Sequence, residues 1–426
     1  MFYLKLFFLS GARNIIETFL DLPNNMRQNL LRILHGITNL ERLDFEKFTT
    51  KPNAVLIVAI IALLRLSVNG QNPSYSPLQN LTTSKVLPER IMIQKANNNL
   101  DLVFFKGKFY HAFRTAPSHF ASKKTVLYVA SSTDRKTWKY ETEYSYQKDI
   151  REPRFTILGD SLLLYFFIGG TKPLKFEPEE IQVSKTSGEG WTNAENIGLE
   201  GFVPWRVRNR NDTLFMSSYY GKNLYSKNHQ SDLRLFFSTD GIRWNKLRTQ
   251  SQIDLPHAEE GEFIFASDGC MYATVRLESN GALICKGDNC APEKWTYKRT
   301  KYKYDSALLF EHNNDVYLIS RRNMNGEIDK VKHRKNEKKA RLSNLIKYSI
   351  TKKRTALFKL NKEDLSLTHI LDFPSTGDNA FPAIAKIDTN NYWLMNYSSD
   401  ITKREKNWIS GQLGKTFIYE TVLTFD

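Results

Sequence analysis

The sequence predicts an all-β fold, namely a six-bladed β-propeller built from four-stranded antiparallel blades. The first observation is a hairpin pattern that recurs six times along the chain. The second is its spacing, since the repeats start roughly 45 to 75 residues apart, which is enough for a four-stranded sheet with its loops. The third is that no stretch rich in glycine, serine or proline separates one repeat from the next. A closed ring of similar sheets is therefore favoured over a string of separate β domains.

Each repeat opens with polar or charged residues, continues with a β-rich run and a turn containing Gly, Asp or Asn, and ends with an aromatic-rich run. This pattern is typical of a hairpin. The six segments are 99–114, 151–167, 202–220, 260–276, 305–322 and 380–397. Residues 85–93 precede the first hairpin, and we expect them to supply an outer strand to the last blade, so that the ring closes without a long exposed edge.

Residues 1–75 are predicted to form a mostly helical, apolar targeting or anchor segment, and residues 76–426 the propeller. The segment contains the apolar run AVLIVAIIALL at 54–64, which is shorter than the ~20 residues that span a bilayer. Its length is typical of the central region of a signal sequence, with a short membrane anchor over 54–68 or a buried helix as alternatives. Together with sequons at Asn80, Asn211 and Asn396, it predicts a glycoprotein that is secreted or membrane-anchored in the secretory pathway.

The composition predicts a folded chain, and the lack of a nucleic-acid motif argues against a nucleic-acid partner. The 426 residues contain 61 Lys plus Arg against 45 Asp plus Glu, a formal charge of +16, and 41% are hydrophobic. Between positions 329 and 354, 11 basic residues stand against two acidic ones. A solvated loop between two strands is favoured there over nucleic-acid binding, because no nucleic-acid motif accompanies the charges.

The three cysteines are too few for a disulfide-stapled miniprotein or a module with several zinc ions. Cys285 and Cys290 bracket a predicted turn, and a local disulfide between them would leave Cys270 unpaired. No pairing of histidines or cysteines typical of a transition-metal site is present, and no glycine-rich phosphate-binding motif. The sequence therefore predicts no cofactor and no transition metal, while calcium at loop carboxylates stays open.

A second motif marks the outer half of two repeats. Residues 132–138 and 238–244 share the spacing S-T-D-x-x-x-W, and residues 184–191 are a looser copy. The aspartate is expected to accept backbone N–H groups of a tight turn, and the tryptophan to pack between neighbouring sheets. These segments are therefore interpreted as structural fasteners of the blades.

Charged residues occupy the positions that a propeller brings to one mouth of its central channel, where first strands begin and second strands end. The strand starts contain Arg151, Glu152, Arg154, Arg206, Glu260, Glu262 and Asp305, and the strand ends contain Arg114, Arg276, Arg321 and Arg322. Buried charges are costly unless they are paired, so a ligand site is favoured over a purely structural ring of ion pairs. Arginine forks bind carboxylates, which predicts an anionic substrate, and the nearby acids offer general acid or base chemistry.

The two S-T-D-x-x-x-W copies resemble the Asp boxes of the sialidase superfamily, slightly shortened. The stretch 259–263, EEGEF, followed by Arg276, resembles the sialidase stretch in which a glutamate opens a strand and a carboxylate-binding arginine closes its hairpin. The stretch 304–308, YDSAL, resembles the next sialidase blade, which opens on a tyrosine. Over residues 85–426 the resemblance implies retaining glycoside hydrolysis with Tyr304 as nucleophile, polarised by Glu260 or Glu262, next to Asp305.

The resemblance is incomplete at several positions. Residues 98–101, NNLD, stand where the family has an arginine, and no aspartate follows Arg114, so Asp101 and His119 are the substitutes for the acid catalyst. The third carboxylate-binding cation has the candidates Lys286, Arg299 and Arg354. Aromatic residues expected near the mouth for stacking on a sugar are Trp205, Tyr219, Tyr220, Phe381 and Tyr397.

Two classes of function follow from these residues. The first is a monomeric, sialidase-like glycoside hydrolase that acts on a glycan with an acidic sugar. The second is a catalytically inactive propeller that binds glycans or serves as a scaffold for protein partners.

Overall fold

The computed structural model describes residues 73–83, 85–173, 175–222, 224, 232–328 and 337–425. Within these ranges the strands form six antiparallel sheets, and each sheet is one blade of a β-propeller. The prediction of six blades is confirmed. The predicted N-terminal segment lies outside the described residues except for positions 73–75, and so do its apolar run and the extension of that run to residue 68.

Each of blades 1 to 5 contains four strands that are adjacent in the sheet in the order in which they follow along the chain. Blade 1 contains β3 (Ala96–Phe105), β4 (Lys108–Ala116), β5 (Val126–Ser132) and β6 (Lys139–Tyr144). Blade 2 contains β7 (Asp149–Leu158), β8 (Ser161–Gly169), β9 (Pro178–Thr186) and β10 (Glu195–Asn196). Blade 3 contains β11 (Phe202–Arg210), β12 (Thr213–Tyr220), β13 (Leu233–Ser238) and β14 (Asn245–Lys246). The predicted hairpins are the first two strands of each blade.

Blades 4 and 5 follow the same plan. Blade 4 contains β15 (Ala258–Phe265), β16 (Met271–Leu277), β17 (Ala282–Gly287) and β18 (Trp295–Thr300), with a 3-10 turn at Asp288–Cys290. Blade 5 contains β19 (Asp305–His312), β20 (Asp315–Asn323), β21 (Lys353–Leu360) and β22 (Leu367–Phe373).

Blade 6 closes the ring by combining both ends of the described chain. It contains β23 (Asn379–Lys386), β24 (Asn391–Ser399) and β25 (Thr416–Thr424), and β25 pairs with β1 (Ser74–Tyr75) and β2 (Gln79–Asn80). Closure by an N-terminal strand is as expected, but the assignment to residues 85–93 is wrong. The register pairs Ser74 with Thr424 and Gln79 with Glu420, so the chain has already left the outer edge before it reaches residue 85.

The hydrophobic core lies between the blades. Inward-facing and outward-facing positions of each strand alternate, so both faces of a blade pack on its neighbours. One cluster, for example, joins Tyr304 and Phe358 to side chains of blade 4, and another joins blades 1 and 2 around Phe166. This packing fixes the six sheets around a common axis.

The two turns with the S-T-D-x-x-x-W spacing have the predicted geometry. Asp134 Oδ1 accepts the backbone N–H groups of Lys136 and Thr137 at 2.8 and 2.7 Å, and Asp240 Oδ1 accepts those of Ile242 and Arg243 at 2.9 and 2.8 Å. These bonds lower the pKa of both aspartates. The turns therefore hold the outer strands of blades 1 and 3.

Gly241 docks the blade 3 turn onto blade 2. Its φ is +78°, and a Cβ atom there would lie 2.5 Å from Leu163 Cδ2. The Tyr165 hydroxyl donates to the Gly241 carbonyl at 2.7 Å, so the close approach is tied by a hydrogen bond. Glycine is required here because any side chain would clash and strain the backbone.

Two helices interrupt the repeat. Helix α1 (Glu337–Ile350) lies between β20 and β21, and helix α2 (Trp408–Gln412) lies between β24 and β25. The basic run predicted as a loop is therefore helical from residue 337 to residue 350, and its last two residues begin β21. Asn344 and Tyr348 are buried one turn apart on the helix. Among the described residues, no helix is long and apolar enough to cross a membrane.

The disulfide differs from the expected one. Cys270 is bonded to Cys290, while Cys285 is a buried free thiol. Strand alternation explains the difference, since Cys285 packs in the cluster on one face of blade 4, whereas Cys270 and Cys290 are in the cluster on the other. The prediction of a local disulfide between Cys285 and Cys290 is therefore wrong.

Candidate functional site

The first strands of the six blades line the central channel, where neighbouring first strands contact one another around the ring. We call the end at which these strands begin the upper mouth and the end at which they finish the lower mouth. Each first strand has a register shift against its partner near the upper mouth. In five blades the shifted segment contains a residue with positive φ, namely Asn99, Glu152, Glu260, Ser306 and the pair Ala380 and Phe381. Such bulges bend a strand and re-aim its side chains.

Charged side chains of five blades form a connected network at the upper mouth. Its first centre is Asp149, at the start of blade 2, which accepts from Arg114 Nη2 and Thr125 Oγ1, both at 2.8 Å, and from Arg151. Burial raises the pKa of Asp149, but the two arginines outweigh it and hold that pKa below its usual range. Arg151 also donates to the His119 carbonyl at 3.0 Å, which extends the network to blade 1.

The second centre is Asp378, which is fully buried at the start of blade 6. His119 Nδ1 lies 2.7 Å from Asp378 Oδ2, and the Tyr397 hydroxyl donates to Asp378 Oδ1 at 3.0 Å. Arg321 Nη2 in turn donates to the Tyr397 hydroxyl oxygen at 3.3 Å. A phenol is thus held between a carboxylate that can take its proton and a guanidinium that can stabilise the phenolate.

The third centre is Asp305, at the start of blade 5. Arg276 Nε lies 3.5 Å from Asp305 Oδ1, and Arg321 Nη1 lies 4.0 Å from Asp305 Oδ2, so this buried carboxylate joins two arginines of neighbouring blades. Arg276 also pairs with Glu260, whose other oxygen accepts the Ser306 N–H at 2.9 Å. Lys303 Nζ lies 3.4 Å from Asp305 Oδ1 and is the third cationic group next to this carboxylate.

Two glutamates at the upper mouth are poised to titrate near neutral pH. Burial raises the pKa of Glu152 to about 7 despite the attraction of Arg154, and it raises the pKa of Glu259 to about 7 despite Arg276. Both groups are almost completely enclosed. The upper mouth therefore contains carboxyl groups whose charge depends on pH in the neutral range.

The helical insertions contribute to this end of the channel. Tyr348 of α1 is buried, and burial together with the nearby Asp305 carboxylate raises its pKa. Its ring lies 5.4 Å from that of Trp408 in α2, and the Arg321 guanidinium lies 5.5 Å from the Trp408 ring. Gln412 of α2 lies 3.2 Å from His119 Nε2. The two helices thus cover part of the network. Three members of the network are partly exposed, namely His119 with 22%, Arg151 with 13% and Arg276 with 15% of the side chain accessible.

Arg154 divides the channel in the middle. Its guanidinium lies 5.1 Å from the ring centres of both Trp205 and Phe381. It also pairs with Glu152 at 3.2 Å and donates to the carbonyls of Trp205, Leu100 and Pro153. We call Arg154, Trp205 and Phe381 the axial plug, because all three are buried and the guanidinium lies 5.1 Å from each ring, between the residues of the upper network and those near the lower mouth.

A second ion-pair group lies below the plug. Glu262 is fully buried and accepts from Arg206 Nε at 2.7 Å and from Arg208 Nη2 at 2.9 Å. Arg206 Nη1 lies 3.5 Å from Asp101 Oδ1, and Asp101 accepts the Phe155 N–H at 2.6 Å. Asp101, Arg206 and Arg208, but not Glu262, border a cavity of about 350 Å³ toward the lower mouth.

The structure brings together only part of the predicted site. Arg114, Arg151, Arg276, Arg321, Glu260 and Asp305 belong to the upper network, as do the proposed acid substitute His119 and the aromatic residue Tyr397. Arg154 forms the plug, while Arg206, Glu262 and Asp101 lie below it. The bulges explain this separation, because residues only two or three positions apart on one strand reach opposite sides of the plug.

Several predicted residues lie elsewhere, among them Tyr304, Arg354 and Arg322, which pairs with Asp372. Tyr304 packs against Phe358 at 5.0 Å in the cluster between blades 4 and 5, and burial raises its pKa to about 12. Arg354 pairs with Glu405 and donates to the Ser375 carbonyl at the edge between blades 5 and 6. The role assigned to Tyr304 by resemblance gains no support from this position.

Several charged or polar residues of the channel were not predicted from the sequence. Asp149 and Asp378 each stand two residues before the predicted strand start, so a slightly earlier strand boundary would have included them. Tyr348 is on an inserted helix, and Lys303 and Arg208 have no recurring position in the repeat. For these three, no signal in the sequence points to the channel.

Solved structures with a similar fold include several sialidases. A protein of unknown function from Dyadobacter fermentans matches 84% of this chain and 100% of its own with a TM-score of 0.58 and 14% identity. Trypanosoma rangeli sialidase in complex with sialic acid matches 82% of this chain with a TM-score of 0.55 and 8% identity. Its complex with 2,3-difluorosialic acid, a covalent intermediate, gives 0.57 and 10%.

The match spans little more than half of the trypanosomal chains, 58% and 59%. No protein-family model matches the sequence, and no curated protein matches it. At these identities the likeness defines the fold. The chain has a six-bladed propeller fold similar to that of the sialidases, and its upper mouth lies where the first strands of the blades begin.

Proposed function

We propose that the protein binds a glycan with an acidic sugar at the upper mouth. The observation that supports this most directly is the sharing of Asp305 by Arg276 and Arg321, because a carboxylate already occupies the space between two converging guanidinium groups. A sugar carboxylate has the same charge and planar shape as this side chain. The partly exposed Arg276, Arg151 and His119 are the groups that such a ligand meets first.

The ion pairs between arginines and acids of the upper network oppose the binding of a ligand carboxylate. Every arginine of the upper network has an acidic neighbour, so a ligand carboxylate must compete with Asp305 or Glu260 for Arg276. Protonation of Glu259, a third acidic neighbour of Arg276, lowers the total attraction of Arg276 to its own acids, since a neutral carboxyl no longer pairs with the cation. Binding is therefore expected to strengthen as the pH falls below about 7, the pKa of Glu259, which also neighbours Arg276.

A glycan array probed with the full chain tests this proposal. We expect binding to glycans with acidic sugars and at least a tenfold loss of signal in Arg276→Gln. The matched control is Arg322→Gln, since Arg322 is the next residue after Arg321 but forms a bidentate pair with Asp372 on the side of the blade. Retained binding in a folded Arg276→Gln protein, or equal loss in both variants, would remove the upper mouth as the site.

A second candidate, hydrolysis of the bound glycoside, is favoured by the position of Tyr397. Its hydroxyl contacts both Asp378 and Arg321. In this arrangement Asp378 takes the phenol proton, and the phenolate oxygen bonds to the anomeric carbon as the glycosidic bond breaks. His119 supplies the proton to the departing oxygen, and water then cleaves the bond to Tyr397. Burial and the Asp378 charge raise the pKa of Tyr397, so the resting phenol is neutral and has to lose its proton during attack.

The hydrolase is tested with a panel of fluorogenic glycosides, including a sialoside. Turnover that disappears in Tyr397→Phe but persists in Tyr304→Phe is the expected result for a hydrolase. The absence of turnover with every glycoside, combined with retained binding on the array, would leave the protein as a glycan-binding propeller.

A further inference from the structure

The lower mouth contains a cavity that the proposed glycan site does not use. It has a volume of about 350 Å³ and lies on the axis, bordered by the first strands of five blades. This volume is within the range of small-molecule sites. None of the upper-network residues lines it, so a ligand in this cavity contacts a different set of side chains.

Two arginines give the cavity a fixed cationic side. Glu262 accepts from both Arg206 and Arg208, and Arg208 also donates to the carbonyls of Phe263 and Leu309 at 3.2 and 2.7 Å. These contacts engage Nε and Nη2 of Arg208, and no described residue bonds its Nη1. Arg206 similarly uses Nε and Nη1, and no described residue bonds its Nη2. Each guanidinium is therefore held in place with a donor left for a ligand.

The other residues that line the cavity determine which chemical class of ligand fits it. Lys386 adds a third cation at the border, and Asp101 adds one anion. Asp101 disfavours a doubly charged ligand, because like charges at short distance repel in a poorly solvated site. The other lining side chains are largely apolar, namely Leu102, Val103, Phe104, Phe155, Val207, Leu308, Leu309, Ile384 and Ala385.

From this combination we infer that the lower mouth binds a small organic monocarboxylate with an apolar body. The carboxylate pairs with Arg208 and Arg206, and the apolar part packs against the aliphatic side chains of β3, β19 and β23. Prepositioned guanidinium groups lose little freedom on binding, which favours affinity. The site is independent of the proposed glycan site, since none of the upper-network residues takes part.

Calorimetric titration of the full chain with hexanoate tests the inference. Hexanoate is expected to bind and its neutral analogue hexanamide to fail, because only the acid pairs with the arginines. Arg208→Gln is expected to weaken hexanoate binding at least tenfold. The Arg208 side chain is 29% exposed, so this variant should fold, and thermal unfolding checks that it does.

Arg210→Gln is the matched control. Arg210 is two residues further along the same strand but interacts with Phe265 and the Gly269 carbonyl outside the cavity, so its loss should change the affinity less than twofold. Lys386→Gln, at an exposed position, should weaken binding two- to threefold.

The inference would be overturned by no hexanoate binding, by equal binding of hexanamide, or by unchanged affinity in Arg208→Gln. Inorganic phosphate that binds as tightly as hexanoate and competes with it would also overturn it, since the site would then select anions without regard to the apolar body. None of these results bears on the glycan array, so failure here is distinguishable from failure of the proposed glycan site.

Discussion

The two mouths of the channel are built from the same six strands and yet differ in character. At the upper mouth the arginines and acids pair with one another around most of the ring, and two inserted helices cover part of them. At the lower mouth one buried glutamate holds two arginines beside an open cavity. The difference teaches that a bulge near the start of each first strand allows one repeat to present two separate sets of side chains to the axis.

The largest expected effect comes from removing the barrier between the mouths. Arg154→Met leaves Glu152 buried without its partner and removes the contacts to Trp205 and Phe381. Breaking a buried ion pair in this way costs about 3 kcal/mol of unfolding free energy or more. Denaturant unfolding measures this cost.

The control for the plug is Arg210→Met. Arg210 also stacks on a phenylalanine, Phe265, but is partly exposed and has no acidic partner among the described residues. Its loss should cost about 1 kcal/mol or less, in line with cation–π contacts at exposed sites. Equal destabilisation of the two variants would contradict the role of Arg154 as a plug.

An intermediate effect is expected from pH at the upper mouth. The folded-state pKa of Glu152 is about 7, above the ordinary value near 4.5, so between these values the folded protein keeps a proton that the unfolded chain has lost. Its stabilising contribution is complete below pH 4.5 and is lost as the pH rises through 7. The stability of the wild type relative to Glu152→Gln should therefore fall by about 1 to 3 kcal/mol between pH 5 and pH 8.

Asp372→Asn serves as the reference for this titration. Burial raises the pKa of Asp372, but hydrogen bonds from Arg322 and His369 outweigh it and lower the pKa overall. Its contribution is lost only on acidification below its ordinary pKa, so the difference between wild type and Asp372→Asn should stay nearly constant from pH 5 to pH 8. A flat profile for Glu152→Gln would show that its carboxyl is charged throughout this range.

The smallest effect is expected at Tyr304, which lies outside both mouths. Tyr304→Phe keeps the ring that packs on Phe358 and removes only a hydroxyl with Thr300 as its polar neighbour. The stability cost should be about 1 kcal/mol or less, and glycan binding should be unchanged. Loss of glycan binding in this variant would indicate that Tyr304 belongs to the glycan site. It would contradict the placement of Tyr304 outside both mouths.

Much of the fold could be predicted because its signals are local. Alternating strands, turn residues and the two S-T-D-x-x-x-W segments recur along the sequence, and the six blades follow from them. The edge strand at Ser74–Tyr75 was missed because two residues contain no periodic pattern. The Cys270–Cys290 bond was missed for a different reason, since it depends on which face of blade 4 each cysteine occupies.

For the candidate site, the sequence predicted the kinds of residues that line it but not which of them pair with one another. Arginines and acids at strand starts and ends indicate a charged channel, and Arg114, Arg276, Arg321 and Asp305 do lie at one mouth. Their partners were not predictable, because pairing joins residues far apart in the chain. Arg276 and Asp305 come from different blades, and Tyr348 reaches the same carboxylate region from an inserted helix.

The sequence by itself determined the repeating hairpins, the number of blades and the kinds of charge that surround the axis, because these depend on short-range alternation and turn chemistry. Only the tertiary structure decided that Arg154 plugs the channel, that Glu262 and Arg206 belong below it, and that Tyr304 is buried between blades. The physical reason is the bulge in each first strand. A shift of one or two residues in register changes the face and the depth at which a side chain enters the channel, and neighbouring blades select the partner it meets there.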